Sequence, residues 1–410
     1  MNFKKDKLYF FFPYRGVGGV PVLFLRLAHY LSNLGKYDIY LIDYADGYMA
    51  KNYDKSKDIN LVKYSEKEIY FEKSDIVLFQ SMPFFAFPLN LNFNKDTKII
   101  FWNLHPYNFF GYAARISRFK SKFIQSILYI LFRNFIYSNE RKAINIFKKH
   151  NALFFMDEEN LEQTEDLLKV SIKNPIYLPL TLNSGENIKL NHMKGKDNLN
   201  CIWIGRIADF KVHILLYTIK RLEKYTIDKD INCTFTIVGD GEYLEYLKDK
   251  LKDIHINIVY INYMEEKDIS ELLKDIDVSF CMGTSALDTA KYGVPTVLLD
   301  FTYEEIVQDY KFDWLFNTQN YTLANNITDK YYKKDNQTLE IMMDDIFKDY
   351  AKLSNMSFKY ILENYDIKQN TKNFINLINN ATLTAKDIPN SFYKMNIFHK
   401  TLGVRRYYVN

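Results

Sequence analysis

Two cations five residues apart, Arg206 and Lys211, stand in the run Gly205-Arg206-Ile207-Ala208-Asp209-Phe210-Lys211, at the end of the apolar stretch CIWIG (201–205). A fixed guanidinium and a fixed ammonium at the carboxyl end of a strand can neutralise the charge that develops on a departing diphosphate, without a metal. Arg and Lys are ordinarily solvated surface residues, and the position after a buried strand is what favours a site here. A second constellation closes the apolar run VSFCM (278–282). Gly283, Thr284 and Ser285 offer amides and hydroxyls to a phosphate at a helix start. Asp288 follows one turn later, in reach of a sugar's vicinal hydroxyls; the alternative is a first-turn acid favoured by the helix dipole.

Three further signals are weaker. Gly239-Asp240-Gly241 after TFTIV is a tight turn open to phosphate. In the N-terminal half, KLYFFFP (7–13) breaks at Gly16-Val17-Gly18-Gly19, where backbone without Cβ atoms can approach a ligand closely. This loop is not the dinucleotide fingerprint, and no acid lies at the distance a nicotinamide ribose requires. His105, in FWNLHPYN, follows a strand-like run; a lone histidine is as often structural. The acidic triplets DKD (228–230) and DID (275–277) imitate a metal motif, but with 50 acids in the chain they are expected by chance, and no metal is expected.

These loops need elements to hold them. Beyond residue 199 strands and helices alternate: CIWIG, a helix around 212–224, TFTIVG (234–239), a helix around 242–252, NIVYI (257–261), a helix around 266–275, VSFCM, a helix around 285–292, and TVLL (296–299). That alternation predicts right-handed βαβ units and a doubly wound parallel sheet. The first half reads alike, with strands at 7–13, 38–43, 75–80, 98–104, 152–157 and 175–180. Its first helix carries Leu23, Leu27, Leu31 and Leu34 at helical spacing, with Gly35 just past its end. The expected class is α/β, with two doubly wound, Rossmann-like domains facing a central cleft. The expected bounds are 1–181, a polar linker 182–198, 199–364, and a crossover helix with a basic aromatic tail over 365–410, packing back on the first domain.

Composition narrows the class. The 410 residues exceed one core and fit two. Cys201, Cys233 and Cys281 each lie in a β-like run, so no disulfide framework follows and a reducing cytoplasm is expected. A net charge of +4 does not point to nucleic acid. The lysines and apolar run at the N-terminus imitate a leader but enter a glycine loop without a cleavage site.

The motifs together resemble the retaining GT-B glycosyltransferases of the "group 1" family, family 4 in the sequence classification, over about residues 7–320. The family's G-R-x-x-x-x-K is met by Gly205, Arg206 and Lys211, and its V-G-x-G by Val238, Gly239 and Gly241. Its L-E-A-x-x-x-G-x-P is met with changes by Leu287, Asp288, Thr289, Gly293, Val294 and Pro295. Gly18 and Gly19 match the glycine loop of the first domain. The resemblance implies a nucleotide diphosphate sugar as donor, UDP-sugar first, with Arg206 and Lys211 on the diphosphate and Asp288 on the ribose. It implies that Gly18, Gly19, Gly205, Gly239, Gly241, Gly283, Thr284 and Ser285 bind the donor, with the glycine loops lining the acceptor site as well, and that His105 acts beside the transferred sugar as a catalytic residue. One departure stands out. The family commonly carries a second glutamate eight residues before the ribose-binding acid, and here Phe280 occupies that place. A different sugar preference or lost activity would follow from it. The alternatives are a GT-B epimerase or phosphorylase, or a non-catalytic nucleotide-sugar-binding subunit.

Residues 115–149 hold nine Lys/Arg against one acid, Glu140, around the apolar centre FIQSILYILFRNFIY. The stretch is too short and interrupted to span a bilayer. Its basic flanks and bulky apolar residues suit a helix lying in an anionic membrane interface; a buried helix with snorkelling cations is the alternative. A lipid-linked glycan acceptor at the inner face of a bacterial membrane is the matching expectation.

Overall fold

The computed structural model describes residues 5–109, 127, 137–183, 195, 197–307, 309–327 and 336–394. The chain divides into two compact units, Met1–Leu182 with Ile367–Asn410, and Asn183–Asp366.

The first unit is built on β1 (Lys7–Phe11), β2 (Asp38–Asp43), β3 (Ile59–Lys63), β4 (Ile69–Phe71), β5 (Ile76–Gln80), β6 (Leu91–Phe93), β7 (Lys98–Asn103), β8 (Leu153–Phe155) and β9 (Ile176–Tyr177). Seven of these form one sheet in the order β3-β2-β1-β5-β7-β8-β9, every neighbouring pair parallel, while β4 pairs with β6. The central strands are apolar on both faces because helices cover both: Leu8, Phe10, Phe11, Val77, Leu78 and Phe79 are fully buried. The helix Gly19–Leu34 buries Leu23, Leu27 and Leu31, and ends at Gly35, whose left-handed φ of 62° lets its N–H reach the Ser32 carbonyl at 3.1 Å. Leu34, expected on the same stripe, is half exposed at the frayed end. The core is aromatic. Phe101 stacks on Phe147 at 4.3 Å, and Phe374 of the helix Ile367–Asn380 stacks on Phe10 at 6.4 Å, holding that helix to this unit.

The second unit holds β10 (Asn198–Ile204), β11 (Asn232–Val238), β12 (Asn257–Ile261), β13 (Val278–Cys281), β14 (Thr296–Leu298) and β15 (Asp313–Trp314). The sheet order is β12-β11-β10-β13-β14-β15, parallel except for the last pair. Neighbouring β10 and β13 are not consecutive in sequence, so the winding direction reverses between them. In this topology ligands bind outside the carboxyl ends of the two strands that flank the reversal. In the first unit the reversal lies between β1 and β5.

Two expectations change. The helix expected around 212–224 runs Asp209–Lys229, so Lys211 sits in its first helical turn instead of in a loop. Asp209 in that turn, at the positive end of the helix dipole, favours the earlier start. β3, β4, β6 and β15 were not anticipated; they are short and carry polar residues. Of the basic stretch 115–149, residues 115–126 and 128–136 lie outside the described residues, as do 184–194 and 196 of the expected linker and the tail 395–410. The helix Ser138–Lys149 buries Ala143, Ile144 and Phe147 against the sheet. Among the described residues no helix is long and apolar enough to cross a membrane.

Candidate functional site

At the carboxyl end of β10 the chain leaves Ile204, passes Gly205 and Arg206, and enters the helix that carries Lys211. The Lys211 ammonium lies 5.7 Å from the Trp203 ring centroid and 5.5 Å from that of Phe210. Burial pulls its pKa below the ordinary lysine value, and the neighbouring Arg206 charge pulls it the same way. The two cations therefore repel each other across the strand end, and an anion between them would be favoured by both. Among the described residues no carboxylate forms an ion pair with either. Lys229, Lys248 and Lys274 of the same unit, by contrast, each pair with an acid.

β13 ends beside this pair. Its last residue, Cys281, is fully buried, and burial pushes the thiol up to about 12, with Lys211 drawing it down and Asp288 raising it further. Lys211 thus lies near Cys281 and Asp288 where the winding reverses, although it is far from both in sequence. Asp288, on the helix Thr284–Ala290, is 44% exposed and pairs with the nearly buried Lys291 at 3.3 Å. Thr284 is exposed, Ser285 is half-buried, and no atom approaches within 4 Å of the place a Cβ on Gly283 would take. A buried ring of hydroxyls fixes this helix to the sheet: Ser279 Oγ lies 2.8 Å from the hydroxyls of both Thr289 and Thr296, donating its one proton to one and able to accept from the other.

Phe280 lies within β13, fully buried and stacked on Phe235 at 5.9 Å. Only Met282 and Gly283 separate that strand from the helix at Thr284. A side chain at position 280 points into the core, so this place offers a ligand nothing.

The glycines of the Val238-Gly239-Asp240-Gly241 turn face the neighbouring loop. A Cβ on Gly239 would fall 2.1 Å from the Gly205 carbonyl oxygen, and one on Gly241 2.2 Å from that of Ile207. The Gly205 N–H bonds the Val238 carbonyl and the Ile207 N–H that of Asp240, both at 2.9 Å. The space those glycines leave is filled by the strand-end loop that carries Arg206. The acidic triplets are also placed structurally: buried Asp277 accepts the Asn200 N–H at 2.7 Å, and Asp230 caps a helix end. Among the described residues no three His, Cys, Asp or Glu side chains come together as a metal site would require.

In the first unit a cavity of about 590 Å³ opens where the winding reverses between β1 and β5. Tyr14, Arg15, Tyr44, Gln80, Ser81 and His105 are among its walls. His105 Nδ1 accepts the Tyr107 N–H at 3.1 Å, which leaves Nε2 to carry the proton of a neutral ring. The imidazole is open to solvent from one side, yet the protein around it strips enough water to hold its pKa below the ordinary histidine value. The Gln80 and Asn108 amides meet at 2.7 Å. Ser81 is 3% exposed and its hydroxyl has no partner among the described residues, a state that costs about 1–3 kcal/mol. Gly16 lines the cavity, whereas Gly18 and Gly19 form the start of the helix beyond it.

The sequence showed no acid for a dinucleotide ribose, but Asp43 does end β2, where such an acid would stand. Its oxygens are taken. They accept the backbone N–H groups of Tyr14, Tyr44, Met49 and Ala50 at 2.8, 2.8, 2.8 and 3.1 Å. Gln80, Ser81, Tyr44 and Cys281 carried no sequence signal, because topology alone brings them to these strand ends.

Residues 198–330 match the family described as "Glycosyl transferases group 1". Their likeness is to a group 1 glycosyltransferase domain, over less than half of the chain. The match begins with β10 and includes Arg206, Lys211, both Val-Gly-x-Gly glycines and Asp288. Among solved structures, AviGT4, described as a glycosyltransferase involved in avilamycin A biosynthesis, is 11% identical with a TM-score of 0.50, covering 92% of this chain and 97% of that one. HepE of Anabaena, in complex with UDP and glucose, is 10% identical with a TM-score of 0.47, covering 91% and 99%. WaaG, a glycosyltransferase of lipopolysaccharide biosynthesis, is 12% identical with a TM-score of 0.44, covering 90% and 95%. The fold class is that of the GT-B glycosyltransferases. No curated protein matches the chain in sequence.

Proposed function

We propose that the chain is a retaining glycosyltransferase that moves a hexose from a nucleotide diphosphate sugar, UDP-sugar first, to a hydroxyl of a lipid-linked glycan in bacterial surface polysaccharide synthesis. One observation carries this: a half-buried lysine and an arginine, paired with no carboxylate among the described residues, at the strand end where the sheet's winding reverses. Such a pair stabilises a departing diphosphate without a metal, because its charge is fixed before the bond breaks. Asp288 grips the ribose, for which it must exchange its pairing with Lys291. Gly205 and Gly283 let the backbone approach the donor, while Thr284 and Ser285 offer hydroxyls to phosphate or sugar. Gly239 and Gly241 serve the donor indirectly, by seating the Arg206 loop. Unit Asn183–Asp366 takes the donor, and the unit with His105, Gly18 and Gly19 takes the acceptor. The basic stretch 115–149 brings the protein to the anionic inner face of the cell membrane.

The test is turnover of nucleotide sugars by the purified chain. Arg206→Ala and Lys211→Ala are each expected to lose roughly 10²–10³ in kcat. Near-normal rates in both would remove the assignment. A second reading, a non-catalytic nucleotide-sugar-binding subunit, draws on the core position of Phe280. It predicts nucleotide binding with neither transfer nor donor hydrolysis.

A further inference from the structure

Beyond Leu298 the chain of β14 stays beside β13: the Leu299 N–H bonds the Cys281 carbonyl at 2.8 Å, and the next residue, Asp300, is an acid only 4% exposed. Among the described residues no cation pairs with it, and neutral donors hold its oxygens. Oδ1 accepts the Asn325 backbone N–H at 2.7 Å and the Asn325 side-chain amide at 3.1 Å, while Oδ2 accepts the Tyr310 hydroxyl at 3.1 Å. Burying a carboxylate without a counter-ion is costly, so its place in the fold calls for a reason.

We propose that Asp300 is a positioning residue for the diphosphate end of this unit, fixing through Asn325 and Tyr310 both the turn at Gly283 and the first turn of the helix that carries Lys211. The link to a diphosphate rests on the glycosyl-transfer reading; the link between the segments rests on their hydrogen bonds alone. On one side, the segment 323–327 lies along the strand end. The Leu323 carbonyl accepts the Gly283 N–H at 2.9 Å, the Asn325 carbonyl the Phe301 N–H at 2.9 Å, and the Phe301 carbonyl the Ile327 N–H at 3.0 Å. On the other side, the Thr302 N–H donates to the Phe210 carbonyl at 3.0 Å, next to Lys211. The Tyr310 N–H donates to the Tyr217 hydroxyl of the same helix at 3.1 Å, and the Tyr310 hydroxyl accepts the N–H of Asp300 itself at 3.2 Å. One carboxylate thus stands at the junction of the segments that place Gly283 and Lys211. Burial raises its pKa to about 6 against the Asn325 and Tyr310 hydrogen bonds, and the Asp313 charge on β15 adds to the rise.

A proton taken up by Asp300 must sit on Oδ2, since Oδ1 already accepts two N–H groups, and the Tyr310 hydroxyl must then turn its own proton away. Asp300→Asn holds that neutral pattern at every pH. The experiment measures calorimetric binding of UDP-glucose to the full chain over about one pH unit on either side of the Asp300 pKa; both phosphates of this probe are diesters and do not titrate there. Wild-type affinity is expected to fall roughly three- to tenfold as pH drops through that value, the difference between a charged and a neutral hydrogen bond. Asp300→Asn should be flat at the acid level of the wild type. Tyr310→Phe should keep the limb but move it to higher pH, because a bond that favours the charged form is gone. The same limb in Asp300→Asn overturns the proposal. A second measurement, without nucleotide, follows amide exchange by mass spectrometry. Peptides holding Gly283 and Thr302 should exchange at least roughly threefold faster in Asp300→Asn, relative to peptides of β11. No change there, or equal acceleration throughout the unit, also overturns the proposal. Tyr310→Phe carries both measurements should Asp300→Asn unfold, with circular dichroism reporting the fold. If the wild type binds neither UDP-glucose nor GDP-mannose, the proposed function fails, and the exchange result alone decides whether Asp300 sets the two turns.

Discussion

Gly239 holds its α-carbon so close to the Gly205 carbonyl that no side chain fits between them: an added Cβ would stand 2.1 Å from that oxygen. The glycine of one strand end therefore sets the path of the next, and Arg206 rides on that path. Its φ of 146° compounds the constraint, since few residues other than glycine adopt it. Gly239→Ala is expected to cost about 1–3 kcal/mol from overpacking, with backbone strain adding to that. It should also lower turnover as Arg206→Ala does, because the loop that carries Arg206 would be displaced. Denaturant unfolding and kcat measured on the same preparation check both halves. An unchanged midpoint with unchanged kcat would show that the two loops are not coupled.

Lys211 gives the reaction an alkaline limit. Burial and the Arg206 charge both lower its folded pKa, so its proton leaves at a pH below the ordinary lysine value of about 10.4. As pH rises through that folded pKa the diphosphate loses one of its two cations, and kcat/KM should fall. Lys211→Arg cannot deprotonate in this range, so it should lack the limb even if its rate at neutral pH is lower. A profile with the same alkaline limb in both proteins would place the titration elsewhere.

Glu140 is 1% exposed and one carboxyl oxygen has no partner among the described residues. Burial pushes its pKa up to about 8, against which the Phe84 N–H and Arg141 act only weakly. The folded state therefore holds a proton that the unfolded chain releases near the ordinary glutamate value of about 4.3. Its contribution to stability is fully present below that value and is lost as pH rises towards about 8. Glu140→Gln is expected to flatten this dependence and raise the melting temperature most at the alkaline end. Parallel melting curves for both proteins across this window would show that Glu140 stays ionised in the fold.

Membrane attachment is tested on Arg115, Arg118, Lys120 and Lys122. With all four changed to Glu, flotation with anionic liposomes should be lost while donor hydrolysis survives, because each basic residue near such a surface contributes about 1 kcal/mol. Retained flotation would locate the attachment, if there is one, in another part of the chain.

Sequence reached furthest where a residue's neighbours in the chain are also its neighbours in space. The apolar runs of β1, β5, β10 and β11 announce buried parallel strands, and Gly205-Arg206 announces a strand end. Lys211 was legible as a cation but was not read as a helical one, although Asp209 two residues before it is a helix-start signal. Phe280 read as a substituted position in an aligned motif. In three dimensions it belongs to β13 and to the core, and the residues that follow leave only a two-residue turn. The cavity was illegible because Tyr14, Tyr44, Gln80 and His105 come from four separate strand ends. Only the strand order, which single-sequence patterns do not give, brings them to one place.

Asp43 has a further consequence. One carboxylate ties Tyr14 to Met49 and Ala50, so the aromatic wall and the short segment after β2 answer to a single anchor. Gly47, whose missing Cβ leaves room for that carboxylate, makes no contact with the cavity yet governs how its rim is drawn in. A substitution in that turn would reshape the cavity from outside it.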